Sequence, residues 1–163
     1  MSHELIDNQI IRCSAYDNLI VGYPVTLPYK TFDHTADLGV EISGSDPSQL
    51  FANAGTTLFH LISGSSGIEA HAALPVTVEG SGYEDMMMNW LRELLYLHQV
   101  KGYLLSTFII HALDESVLKA TVRGELFDAR RHELRREIKA LTYHQLSVKR
   151  EPTGWTARIV FDI

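Results

Sequence analysis

A few polar residues stand where folding alone gives little reason for them. In YKTFDHTADLGVEIS (29–43), Asp33, His34 and Asp37 crowd together just ahead of a strand-like alternation. Lys139 sits in an otherwise apolar strand pattern, IKALTYHQLSV, and Asp162 lies between Phe161 and Ile163 at the end of the chain. The neighbours of Asp162 want burial, and an isolated buried carboxylate must be hydrogen-bonded, paired or bound to a metal. The α-carboxylate of Ile163 adds a second anion beside it. Hard divalent cations, Ca²⁺ foremost and Mg²⁺ or Mn²⁺ as alternatives, take several such oxygens and let anions cluster. If the last strand ends near DHTAD, Asp37 completes the set. Short acidic turns containing Thr also serve as caps, turns and salt bridges, so the residues themselves leave both readings open.

Other chemistries lack their signatures. No phosphate-cradling glycine loop, nucleophile elbow, His-Glu-x-x-His helix or Cys/His ligand set occurs among eight histidines and eleven glycines. Cys13, the single cysteine, excludes an internal disulfide or a thiolate cluster. A net charge of −6 disfavours direct nucleic-acid binding, which draws its affinity from clustered Lys and Arg. The basic run DARRHELRREIK (128–139) has its signs interspersed and reads as a solvated face. No apolar run reaches the roughly 18 to 20 residues that span a bilayer, and the N-terminus lacks a basic region followed by an apolar one. A cytoplasmic protein with no membrane partner is expected.

The elements that must hold these residues follow from periodicity. Residues 1–28 lack a clean period and end in GYPVTLP, the mark of an extension or linker; the domain should span 29–163. Leu38, Val40 and Ile42 alternate as in a half-buried strand. Asp46-Pro47-Ser48-Gln49 opens a helix whose stripe is Leu50, Phe51, Ala54, Leu58, Leu61 and Ile62. A short strand around Val76 and Val78 comes next, and Ser81-Gly82-Tyr83-Glu84 reads as a capping box for a second, deeply buried helix. Four more strand patterns complete the chain, with Pro152-Thr153-Gly154 turning the last two into a hairpin. Two principal helices among about six strands in mixed order give the α+β class, with largely antiparallel sheets.

Together, DHTAD before a strand, EDMMMNWLRELLYL, RHELRREIKALTYH and the terminal FDI resemble the archease family, from about Tyr29 to Ile163. The resemblance implies an accessory protein, not an enzyme, that activates a GTP-dependent RNA ligase of tRNA splicing and RNA repair. It would promote guanylylation of the ligase histidine and repeated turnover, meeting RNA only through the ligase. It also implies metal ligation by Asp37 and Asp162, with Asp33 and His34 in support, and a role in activation for Lys139 of the KALTYH motif. Covalent nucleotidyl transfer to histidine needs metal ions and cationic groups that neutralise phosphates, which suits those residues. Competing classes are a chaperone-like modulator of RNA-processing or RNA-modifying enzymes, an independent metal-dependent hydrolase, and a direct RNA binder.

Overall fold

The structure is a computed structural model that describes residues 27–34, 36–64 and 67–163, with the side chains of Asp33 and His34 outside the description. Cys13 and nearly all of the expected extension therefore lie outside the described residues. Seven strands and two helices run in the order β1 (Tyr29–His34), β2 (Asp37–Gly44), α1 (Pro47–Ser63), β3 (Ala72–Glu79), α2 (Tyr83–Gln99), β4 (Tyr103–Leu113), β5 (Val117–Leu126), β6 (Ala140–Glu151) and β7 (Gly154–Asp162). They build two antiparallel sheets, ordered β1-β2-β7-β6 and β3-β5-β4. The α+β class expected from the sequence is the class observed. None of the described helices is long and apolar enough to cross a membrane.

Each helix touches strands of both sheets, so the core forms where the two sheets meet the helices. From α1 come Leu50, Phe51, Ala54, Leu58 and Ile62, and from α2 come Met86, Met87, Met88, Trp90, Leu91 and Leu94, all buried. Trp90 buries its indole and donates Nε1–H to the Phe51 carbonyl of α1 at 2.9 Å, which satisfies its polar atom and ties the helices together. Helix α1 approaches the second sheet closely, because a Cβ on Gly55 would stand 2.6 Å from the Phe108 ring of β4.

Helix α1 starts as its sequence dictates. Asp46 accepts the Gln49 N–H at 2.8 Å, Pro47 follows it, and Gln49 Oε1 reaches back to the Ser45 N–H at 2.6 Å. The expected capping box of α2 does not form. Gly82 is the N-cap, with φ 94°, and Ser81 instead gives its N–H to Asp85 Oδ2 at 2.9 Å. Only glycine takes that φ without strain, so the backbone decided the cap. Glu84, the other half of the expected box, accepts the Val148 N–H of β6 at 3.3 Å.

Two further elements differ from expectation. Tyr29–His34 is a strand in its own right, and its pairing with β2 makes DHTAD the tip of a hairpin, with Ala36 at φ 66°. Lys139 falls just ahead of β6 and not within it, although its N–H extends the ladder to the Asp162 carbonyl at 2.8 Å. Strand β6 is itself interrupted between Thr142 and Ser147, where Gln145 takes φ 58°.

Candidate metal centre

The four-stranded sheet brings the two ends of the domain together at one corner. In β2, buried Val40 and Ile42 point to the core, so Asp37 projects from the opposite face. In β7, buried Ala157, Ile159 and Phe161 do the same and leave Asp162 outward. The register makes Asp37 and Asp162 direct partners. It continues to His34 on one side and Ala140 on the other, so His34, Asp37, Asp162 and Ala140 form one row across four strands. Directly opposed Cβ atoms lie about 4.5–5.5 Å apart, and opposed like charges destabilise a sheet.

Asp162 is exposed, contrary to the burial expected from Phe161 and Ile163. Period-two alternation puts it on the face those neighbours do not use. The charge that Asp162 faces is therefore the Asp37 carboxylate across the ladder, not a low-dielectric interior. Lys139 supplies one nearby cation, donating from Nζ to the Ile163 oxygen at 3.4 Å. Ala140 beside Asp162 leaves the row open on the β6 side. Carboxylate oxygens on two facing strands are a donor set that fits a hard divalent cation. Asp33 pairs with Leu38 one step from this row.

A covered patch borders the row on the same face. Gly39, one pair further along, lies beneath the Phe32 ring, and the Arg158 guanidinium sits 4.1 Å from that ring's centroid. Periodicity did not reveal this stack. Its signal is a glycine inside a strand, which marks close approach by another group.

A second titratable cluster lies elsewhere, where Glu69, His71 and Glu125 place ligand atoms within 4.8 Å of one another. Arg131 already pairs with both of its carboxylates. Its guanidinium holds buried Glu125 at 2.8 and 3.2 Å and lies 3.7 Å from Glu69. Glu125 also accepts the Glu69 N–H at 2.8 Å and meets His132 Nε2 at 2.9 Å. The arginine bonds, outweighing burial and helped by the Glu69 and His132 contacts, pull the Glu125 carboxyl down to about 2. His132, buried, accepts the Asp128 N–H at Nδ1 over 2.9 Å, which leaves its proton on Nε2 facing Glu125. This cluster anchors the 127–139 connection, and a metal there would have to displace the guanidinium.

With that geometry in hand, the chain can be set beside known proteins. Residues 29–163 match the model of the Archease protein family. The chain belongs to the archease family. Among archease relatives, the protein of Pyrococcus furiosus is 33% identical over 139 residues, covering 83% of this chain and 98% of that one. The archease of Methanopyrus kandleri is 31% identical over 140 residues, 84% of this chain and 100% of its own length. The solution structure of Methanobacterium thermoautotrophicum protein 1598 is similar in fold, with a TM-score of 0.73 at 30% identity, covering 85% of this chain and 100% of that one. Three of the segments that carry the resemblance fall at one corner, DHTAD at the β1–β2 tip, KALTYH at the start of β6 and DI at the end of β7, while EDMMMNWLRELLYL forms α2.

Proposed function

We propose that this protein is an accessory factor of a GTP-dependent RNA ligase, holding a divalent cation through Asp37, Asp162 and the terminal oxygens of Ile163, with Lys139 beside it. Ca²⁺ suits the set best, since it tolerates irregular oxygen ligands, whereas Mg²⁺ demands near-octahedral geometry and keeps its waters. The observation that carries the reading is the direct opposition of Asp37 and Asp162, which puts two carboxylates side by side at the corner of the sheet.

The bound cation would supply positive charge to nucleotide phosphates during transfer to the ligase histidine. The residues of this chain do the rest. Asp37 and Asp162 project from one open sheet corner, where a partner's active site can reach them. Lys139, exposed and fixed by its backbone bond to Asp162, presents an ammonium group to the same phosphates.

The test is a joining reaction with the ligase, reading guanylylation of its histidine and product per ligase, with and without this protein. Stimulation of both is expected, with loss of stimulation in folded Asp37→Ala and Asp162→Ala proteins. Full stimulation by both variants would overturn the reading, as would an extension fused after Ile163 that changed neither cation affinity nor stimulation.

A further inference from the structure

The two sheets end in four edge strands, β1 and β6 of one and β3 and β4 of the other, and an edge offers unpaired N–H and C=O groups to any strand that approaches. Three of these edges are blunted. Strand β3 carries Pro75, which lacks a donor, and β1 is six residues long with Lys30 and Asp33 among them. Strand β6 is broken between Thr142 and Ser147 and ends in Lys149, Arg150 and Glu151. Strand β4 differs, since its eleven residues, YLLSTFIIHAL, include no Lys, Arg, Asp, Glu or Pro. Its two bulges fall on either side of Thr107–Ile110 and leave that stretch in regular register with β5. Phe108 is buried in the core, so Thr107 and Ile109 project from the opposite face, where Ile109 is 40% exposed. Among the described residues, no backbone–backbone hydrogen bond outside the β4–β5 pairing uses a group of Leu104–Leu113.

Charge stands only beyond the two ends of β4. Exposed Lys101 precedes it, with its ammonium 5.8 Å from the Tyr96 ring centroid. Exposed Glu115 follows it, in a turn held by the Gly82 N–H on the Glu115 carbonyl at 2.8 Å and the Gly80 N–H on the Ser116 carbonyl at 3.1 Å. The neighbouring Asp114 carboxylate accepts the Ser116 and Val117 N–H groups of the same turn. Among the described residues neither Lys101 nor Glu115 has an ion-pair partner. They cannot pair within one chain, because at about 3.3 Å per residue the strand between them is roughly 36 Å long.

We infer that β4 docks a second copy of this chain, which adds its own β4 antiparallel about a twofold axis at Phe108 and joins two three-stranded sheets into one of six strands. The charges select that register. An antiparallel pairing centred on Phe108 brings Lys101 opposite the second copy's Glu115, and a twofold contact repeats the pair at the other end. The same register sets Thr107 opposite the second copy's Ile109, a β-branched pair on the outer face of the kind that stabilises adjacent strands. Along the strand itself no like charges meet, because it carries none. The Asp37–Asp162 pair lies on the four-stranded sheet, so the two readings can fail separately.

The experiment is analytical ultracentrifugation of the full chain over a wide range of concentrations. The mass should rise with concentration to that of a dimer and no further. Ile109→Lys places like charges beside the axis and should raise the dissociation constant about tenfold or more. Lys101→Glu and Glu115→Lys should each weaken the pair, and the two together in one chain should restore it, which loss of an unrelated structural contact would not do. Melting curves at concentrations where the parent is monomeric should stay close to the parent's, since all three side chains are exposed. A chain that is monomeric throughout, an assembly larger than a dimer, or an undiminished dimer in folded Ile109→Lys would overturn the inference. So would a charge exchange that restores nothing.

Discussion

Asp37 and Asp162 oppose each other directly across the β2–β7 ladder, on the face of the sheet that turns from the core. Such a like-charge pair costs on the order of 0.2–1 kcal/mol while nothing bridges it. Asp162→Asn removes the repulsion but keeps the shape. The cation-free variant should therefore melt slightly higher than the parent, while the rise in melting temperature on adding Ca²⁺ should shrink or vanish. Melting curves of both proteins with chelator and with Ca²⁺ decide it. A variant that melts lower than the parent in chelator and still gains equally from Ca²⁺ contradicts the cation reading.

Lys139 makes a different prediction, because its contact with the Ile163 oxygen is long and exposed. Exposed ionic contacts contribute less than about 1 kcal/mol, so Lys139→Ala should fold and melt almost normally. Cation affinity should survive or rise, since the ammonium ligates nothing and shares the Ile163 oxygen with the cation. Stimulation of ligase guanylylation should be lost. If stimulation persists in a folded Lys139→Ala protein, the ammonium group has no part in activation.

What the sequence revealed divides along the range of the interactions. Trp155 to Ile163 could be read as a strand because its alternation is local, and Asp46 as a cap because its partner Gln49 lies three residues away. Strand β1 was not legible, since Tyr29–His34 has no clean alternation and acquires its shape by pairing with β2. The same holds for residues 128–139. Taken alone, their mixed signs read as a solvated face, yet Arg131 and His132 bind Glu125 of β5, and the next amides bind Ile62 of α1. For the candidate site, the residue types were visible, and the register that opposes Asp37 to Asp162 came only with the sheet.

Acid should loosen the 127–139 connection. Glu125 has its carboxyl depressed from 4.5 to about 2 in the folded protein, mainly by Arg131. A depressed carboxyl contributes stability that is present above its unfolded value and lost as pH falls through the folded one. The parent should therefore lose this contribution between pH 4.5 and about 2. Glu125→Gln should be less stable at neutral pH and show a flatter decline across that window, measured as melting temperature against pH. Parallel curves for the two proteins would show that the Arg131 pairing adds nothing to folding.

Gly39 links the sheet to the candidate site. A Cβ there would fall 2.1–2.5 Å from Phe32 ring atoms, so Gly39→Ala must push the ring away and strip Arg158 of its aromatic support. Overpacking of this kind costs about 1–3 kcal/mol. The strain lies on β1, whose His34 pairs with Asp37, so the hairpin tip should shift with it. Gly39→Ala should lower the melting temperature and weaken Ca²⁺ binding together. Adding Phe32→Ala to the same chain removes the atoms that clash, so the double variant should lose less than the two single losses add up to, as contacting residues do. Simple additivity of the two losses would mean that the Phe32 ring is not what holds this edge of the sheet beside Asp37.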